Sequence, residues 1–210
     1  MHGPEKLLQN NRRWAAQQLQ ADPEYFARLS EQKRPQYMWI GCSDSRVPAN
    51  EIIGLAPGEV FVHRNVGNIV AHSDLNCLSA VQYAVDVLGV KHIIVTGHYD
   101  CGAVHAALEK QHHGIVDNWI RCIRDIYVRH ENDMGTCSED EKMNRLCEFN
   151  VAQQVANLSH TRIVQNAWKR GQELYVHGWI YSVQDGLLRD LHVTKSSPDD
   201  IAPIYRVGQG

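Results

Sequence analysis

The stretch "GCSDSR", residues 41–46, sets a thiol, a carboxylate and a guanidinium at alternate positions: Cys42, Asp44 and Arg46. A thiolate is a soft metal ligand or a nucleophile, and a carboxylate is a hard ligand or a base. An arginine can restrain either through paired hydrogen bonds. A second stretch, "GHYDCGA" at 97–103, offers His98 and Cys101, spaced to reach one ion across a turn. Two thiolates and one imidazole suit zinc, with Asp44 available as a fourth ligand. Other thiol and zinc chemistries fit less well. A thiol phosphatase needs a longer phosphate loop between its Cys and Arg than the three residues from Cys42 to Arg46. The zinc-deaminase signature, H-x-E followed by P-C-x-x-C, is absent.

Elements that could position these groups are legible around them. After Pro35, "QYMWIGC" reads as a short strand, "EVFVHRN" (59–65) as a second and "KHIIVTGH" (91–98) as a buried third. "QELYVHGWIYSV" is a fourth, and "DGLLRDLHV" gives a turn and a fifth, edge strand. Residues 4–20 predict an amphipathic helix with Leu7, Leu8, Trp14, Ala15 and Leu19 on its apolar face. "DPEYFARLSEQ" predicts a shorter helix capped by Asp22, and 48–54 a turn or two of helix closed by Gly54. From Asp74 to Gly89 the apolar positions Leu75, Leu78, Val81, Val85 and Leu88 keep the helical period. Further helices are expected from Cys101, over 116–130 and over 139–169.

Strands alternating with helices imply an α/β fold. Its central sheet is mainly parallel, of four to five strands with an antiparallel edge strand, and is flanked by helices and an N-terminal helical arm at 1–30. The expected layout is one domain, 1–207, with 208–210 as a disordered tail. In open sheets of this kind ligands gather at the carboxyl ends of the strands, where both chemical stretches lie.

The 210 residues, 43% hydrophobic and 21% charged, describe an ordinary globular chain. A net charge of -3 excludes the basic surface that a nucleic-acid partner requires. Apolar runs such as "IIV" fall far below the roughly 20 residues of a membrane span. No signal-peptide pattern opens the chain, so a soluble, cytoplasmic protein with no membrane partner is expected. In that setting the other cysteines, Cys77, Cys122, Cys137 and Cys147, read as structural or exposed thiols.

Taken together, "CSDSRV", "FVHRNVGN" and "GHYDCGA" resemble the core pattern of the β-class carbonic anhydrases, and the resemblance runs from about residue 5 to 206. It implies zinc, one ion per chain, held by Cys42, His98 and Cys101, with Asp44 and Arg46 as a catalytic pair. The implied reaction is reversible hydration of CO2 to bicarbonate and a proton by a zinc-activated hydroxide. The implied assembly is a homodimer or a dimer of dimers. Paired with Arg46, Asp44 would stand off the metal, and released from it, Asp44 would become the fourth ligand and shut the site. The resemblance points further, to a bacterial subgroup in which bicarbonate, bound by Trp39, Arg64 and Tyr181, favours that closed state at low pH. It also implies an apolar substrate pocket from Phe61, Val66 and Tyr83, with Gly102 beside the metal.

The chain departs from the family pattern at Lys33, where a glutamine is usual, and at Asp100 and Ala103. Asp100 reads as a cap for the helix starting at Cys101. Two other functions remain open on the sequence. One is a hydrolase of carbonyl sulfide or carbon disulfide, and the other is a non-catalytic zinc protein that senses bicarbonate.

Overall fold

A computed structural model describes residues 3–31 and 34–208. Five strands form one sheet: β1 (Tyr37–Cys42), β2 (Val60–Asn65), β3 (His92–His98), β4 (Tyr175–Tyr181) and β5 (Leu188–Asp190). Their order is β2-β1-β3-β4-β5, parallel throughout except for antiparallel β5. This is the expected α/β architecture with its edge strand. β1 and β3 are buried along nearly their whole length because helices or loops cover both faces, which explains their unbroken apolar runs.

The helices are α1 (Pro4–Ala21), α2 (Tyr25–Glu31), α3 (Ala49–Ile53), α4 (Leu75–Gln82), α5 (Gly102–Leu108), α6 (Val116–Trp119), α7 (Arg121–His130), α8 (Glu139–Ser159) and α9 (Arg162–Lys169). The main core lies between one sheet face and α4, α5, α7 and α8, and includes Met38, Ile40, Val95, Val104, Ile123 and Val151. Glycine decides how close α8 comes. A Cβ at Gly97 in β3 would lie 2.5 Å from Val151, and one at Gly178 in β4 would lie 3.0 Å from Val155. On the opposite face a smaller cluster gathers Trp39, Val47, Ala49, Val60 and Ile94.

Several boundaries differ from the sequence reading. The expected single helix over 139–169 is two, because the Thr161 hydroxyl accepts the Val164 N–H and starts α9 anew. The 116–130 helix also breaks, at Ile120, without a side-chain cap. Asp74 does cap α4, but beyond Gln82 the helix widens into π-type turns over Tyr83–Leu88. Ala84 and Val85 are buried in those turns, while Leu75, in the first turn of α4, is 77% exposed. Asp22 accepts the Glu24 N–H and pairs with Arg28, so it caps the turn ahead of α2 and not the helix itself. The arm is present: α1 buries none of its residues and leaves Leu7, Leu8 and Leu19 exposed. Trp14 meets the rings of Tyr25 and Phe26. Lys33 and the end of the expected tail, Gln209 and Gly210, lie outside the described residues, while Gly208 is exposed.

Candidate metal centre

β1 and β3 are neighbours, so their carboxyl ends deliver Cys42 and His98 side by side. After His98 the chain turns through Tyr99 and Asp100, and α5 then begins with Cys101 at its cap position. Asp100 makes that turn with φ of +56°, in the left-handed region. The result is a set of Cys42, His98 and Cys101 whose ligand atoms all lie within 4.8 Å of one another. All three side chains are buried.

The chemistry of this set fits a divalent metal such as zinc. His98 Nδ1 lies 2.9 Å from the Tyr99 carbonyl, which can only accept, so Nδ1 carries the proton. The lone pair is therefore on Nε2, a buried atom with no hydrogen-bond partner. Facing it are two sulfurs 3.8 Å apart. The Cys101 S–H shared with Cys42 drives the Cys42 thiol down to about 4, against burial, with help from His98 and the backbone N–H groups of Asp44 and Gly67. The Cys101 thiol is raised, because its proton is held between the two sulfurs. Two buried sulfurs this close to each other would lose their protons to a divalent cation, which balances two thiolates. Burial works to lower the His98 imidazole, but the Cys42 thiolate outweighs it and the net direction is upward.

A second group with ligating atoms within reach of one another, His63, Asp74 and Cys77, has a different character. Burial pushes the Cys77 thiol up to about 12. His63 already contacts the Asn65 amide, and Asp74 accepts the Asn76 N–H as a helix cap. These are packing and capping tasks.

Asp44 stands at the rim of the metal-ligand set, its Oδ2 3.8 Å from His98 Nε2. Arg46 holds it through its backbone N–H (2.9 Å), Nε (3.0 Å) and Nη2 (2.8 Å). That grip lowers the Asp44 carboxyl to about 2. Asp100 does not cap α5, contrary to the sequence expectation, since Cys101 occupies that position without a side-chain cap bond. Its carboxylate instead bridges Arg46 Nη1 (2.9 Å) and His105 Nε2 (3.1 Å). The left-handed turn aims the Asp100 side chain across the site entrance, away from the helix N–H groups.

The structure places Trp39, Arg64 and Tyr181 on the sheet face opposite the main core. In the register, Trp39 and Arg64 lie beside or across from Gly41, and Tyr181 ends β4 opposite His98. Trp39 is fully buried, its Nε1 has no partner, and a Cβ at Gly41 would collide with the indole. Arg64 donates to the Cys42 carbonyl (2.9 Å) and to the Asp44 carbonyl. Thr96, paired with Gly41 across the strands, has a second buried polar atom without a partner. Sequence reasoning missed it, although a lone hydroxyl inside "HIIVTGH" was a signal.

Of the expected substrate pocket, Phe61 and Tyr83 meet with ring centroids 5.9 Å apart. Tyr83 and Val66 are 49% and 42% exposed, so these groups line an open surface and not an enclosed cavity. A Cβ on Gly102 would meet nothing.

The carbonic anhydrase family model matches residues 37–188. The chain is 46% identical to a carbonic anhydrase of Emericella nidulans over 208 residues, covering 98% of this chain and 91% of that one. It is 35% identical to a carbonic anhydrase of Pseudomonas aeruginosa over 175 residues, 79% of this chain and 77% of that one. Among solved structures, a Coccomyxa β-carbonic anhydrase in complex with acetazolamide superposes with a TM-score of 0.90 at 40% identity, covering 95% of this chain and 91% of that one. A tetrameric β-carbonic anhydrase from Sordaria macrospora gives 0.86 at 33%, covering 91% and 98%. The fungal source of the relative at 46% identity gives the expected bacterial subgroup no support. With the parallel sheet, the Cys–His–Cys set and these likenesses in agreement, the chain belongs to the family of β-class carbonic anhydrases.

Proposed function

We propose that the chain catalyses the reversible hydration of CO2 to bicarbonate and a proton, with zinc held by Cys42, His98 and Cys101. The observation that carries this reading is the buried, partnerless His98 Nε2 facing two sulfurs. Zinc bound there would supply Lewis acidity and an ionisable water, which two thiolate ligands would leave ionising at a higher pH than the ~7 of an all-imidazole site. Asp44, fixed by Arg46 and ionised, accepts a hydrogen bond from the attacking water and holds its lone pair toward the CO2 carbon. The apolar Phe61–Tyr83 pair and Val66 suit an uncharged linear substrate, and a second copy of the chain packed over them would complete the pocket.

Regulation follows from Arg64. Its guanidinium grips the carbonyls on either side of Ser43, so it holds the backbone that carries Asp44. A bicarbonate ion taking hydrogen bonds from Trp39 Nε1, Tyr181 and Arg64 would compete for that grip and free Asp44 to swing toward the metal ligands.

Stopped-flow hydration of CO2 by zinc-loaded protein tests the reaction. Activity that is weak at acid pH and climbs toward pH ~9 is expected, since the water must ionise. No hydration at any pH, with one zinc per chain verified, would transfer the assignment to carbonyl sulfide hydrolysis or to a closed bicarbonate sensor. Crystals grown at low pH with bicarbonate should show the Asp44 carboxylate on the metal in the native chain but not in Trp39→Phe. An open site in both would remove the regulatory reading.

A further inference from the structure

α8 carries three side-chain amides, Asn150, Gln154 and Asn157, where its apolar period calls for hydrophobic groups. Asn150 and Gln154 are 1% and 0% exposed. Buried amides on a core helix need a reason, because an unpaired polar atom there is left without the hydrogen bonds water would give it. Their partners supply one. Asn150 Nδ2 donates to the Gly67 carbonyl at 3.0 Å, and the Val70 N–H donates to Gln154 Oε1 at 2.9 Å. Asn157 Nδ2 donates to the Val70 carbonyl at 3.0 Å. The amides also bond to each other, Gln154 to Asn150 at 2.9 Å and Asn157 to Gln154 at 3.0 Å.

The bonds from these amides to backbone all end on one segment, residues 66–70, which leaves the end of β2 beside Cys42. Other side chains hold the same segment: Trp119 Nε1 donates to the Val66 carbonyl, and the Asn65 amide ties both N–H and C=O of Ile69. The segment is strained as well as tethered. Gly67 has φ of +81°, Asn68 has φ of +46°, and a Cβ on Gly67 would lie 3.1 Å from the Ala103 Cβ. Ala103 stands two residues after Cys101. The segment thus leaves β2 at Asn65, the register partner of Cys42, and packs at Gly67 against the helix that Cys101 starts.

We propose that the Asn150–Gln154–Asn157 ladder is a positioning device, which fixes the 66–70 segment between the turns that carry Cys42 and Cys101 and so holds the two sulfurs at the spacing a metal requires. Groups outside the ligand set that orient the ligand-bearing turns would tune both the affinity and the ligand geometry of a bound metal. The ladder thereby reaches the metal chemistry from a helix that contributes no ligand. The inference rests on Cys42 being a metal ligand, a premise that the experiment checks separately.

The test replaces zinc by cobalt(II) and reads the sulfur-to-cobalt charge-transfer band, together with zinc affinity by competition with a chromophoric chelator. Gln154→Leu removes the bond from the Val70 N–H and both bonds between the amides while keeping the side-chain volume. Val155→Ala, on the same helix but packed toward Gly178, is the control for general loosening. The expected result is a shifted band and roughly 10-fold weaker zinc binding in Gln154→Leu, with the band unmoved in Val155→Ala. Should Gln154→Leu fail to fold, Asn157→Ala removes the bonds to the Val70 carbonyl and Gln154, together with the one accepted from the exposed-side Gln153, and is expected to move the band in the same direction. A band that is unchanged in the folded ladder variant, or moved equally by the control, overturns the proposal. Absence of any charge-transfer band in the native chain would overturn the thiolate ligation itself, a separate failure.

Discussion

Asp44 is the residue on which the proposed chemistry turns, and its protonation is set by one neighbour. Arg46 lowers the carboxyl from 3.8 to about 2, so the group releases its proton more readily in the folded chain than in the unfolded one. The sign follows: its stabilising contribution is complete above pH ~3.8 and is lost as pH falls through about 2. Between pH ~6 and 9 this carboxylate stays ionised, and the rise of activity expected there belongs to the ionising water. Asp44→Asn keeps the shape and removes the charge. We expect hydration to fall about 100-fold or more, with zinc content by atomic absorption unchanged at one per chain. Loss of zinc in that variant would make Asp44 a structural ligand instead. Arg46 in turn is shared between Asp44 and Asp100, so a released Asp44 does not leave the guanidinium without a partner.

At the scale of elements, two glycines set the distance between α8 and the sheet. Gly178 is the more crowded, since a Cβ there would also meet Val193 at 2.5 Å and Val151 at 3.1 Å. Gly178→Ala should cost about 1–3 kcal/mol through overpacking. In a domain of this size that lowers Tm by roughly 2–4 °C per kcal/mol, measured by calorimetry on the zinc-loaded chain. Because α8 also carries the amide ladder, the same variant is expected to lower activity beyond its thermal effect. An unchanged Tm would mean that the helix can retreat freely and does not anchor the 66–70 segment.

At the scale of the molecule, the arm α1 presents Leu7 and Leu8, 68% and 62% exposed among the described residues. Apolar groups repeated along one arm are expected to bury against another copy. Residues 37–188 carry the family match, and α1 lies outside them. Replacing both leucines, Leu7→Glu with Leu8→Glu, should lower the sedimenting mass from a dimer or dimer of dimers toward the single chain. Retention of the native mass would place the interface on the sheet face or β5 edge instead.

Much of the centre was legible because it is local in sequence. Cys42, Asp44 and Arg46 sit within five residues, His98 and Cys101 within four, and apolar runs mark the strands that end at them. Alternation of strands and helices likewise determined the mainly parallel sheet and its antiparallel edge. What the sequence left undecided depends on approach between distant segments. Asp100 meets Arg46 and not the helix it precedes, because a left-handed turn redirects its side chain. The role of Asn150, Gln154 and Asn157 is set by a loop more than eighty residues earlier in the chain, although their polarity on a buried face was readable. Hydrogen bonds at such range are not written in periodicity or spacing. Only the folded chain, by bringing α8 over the turn that follows β2, decides which backbone groups those amides hold.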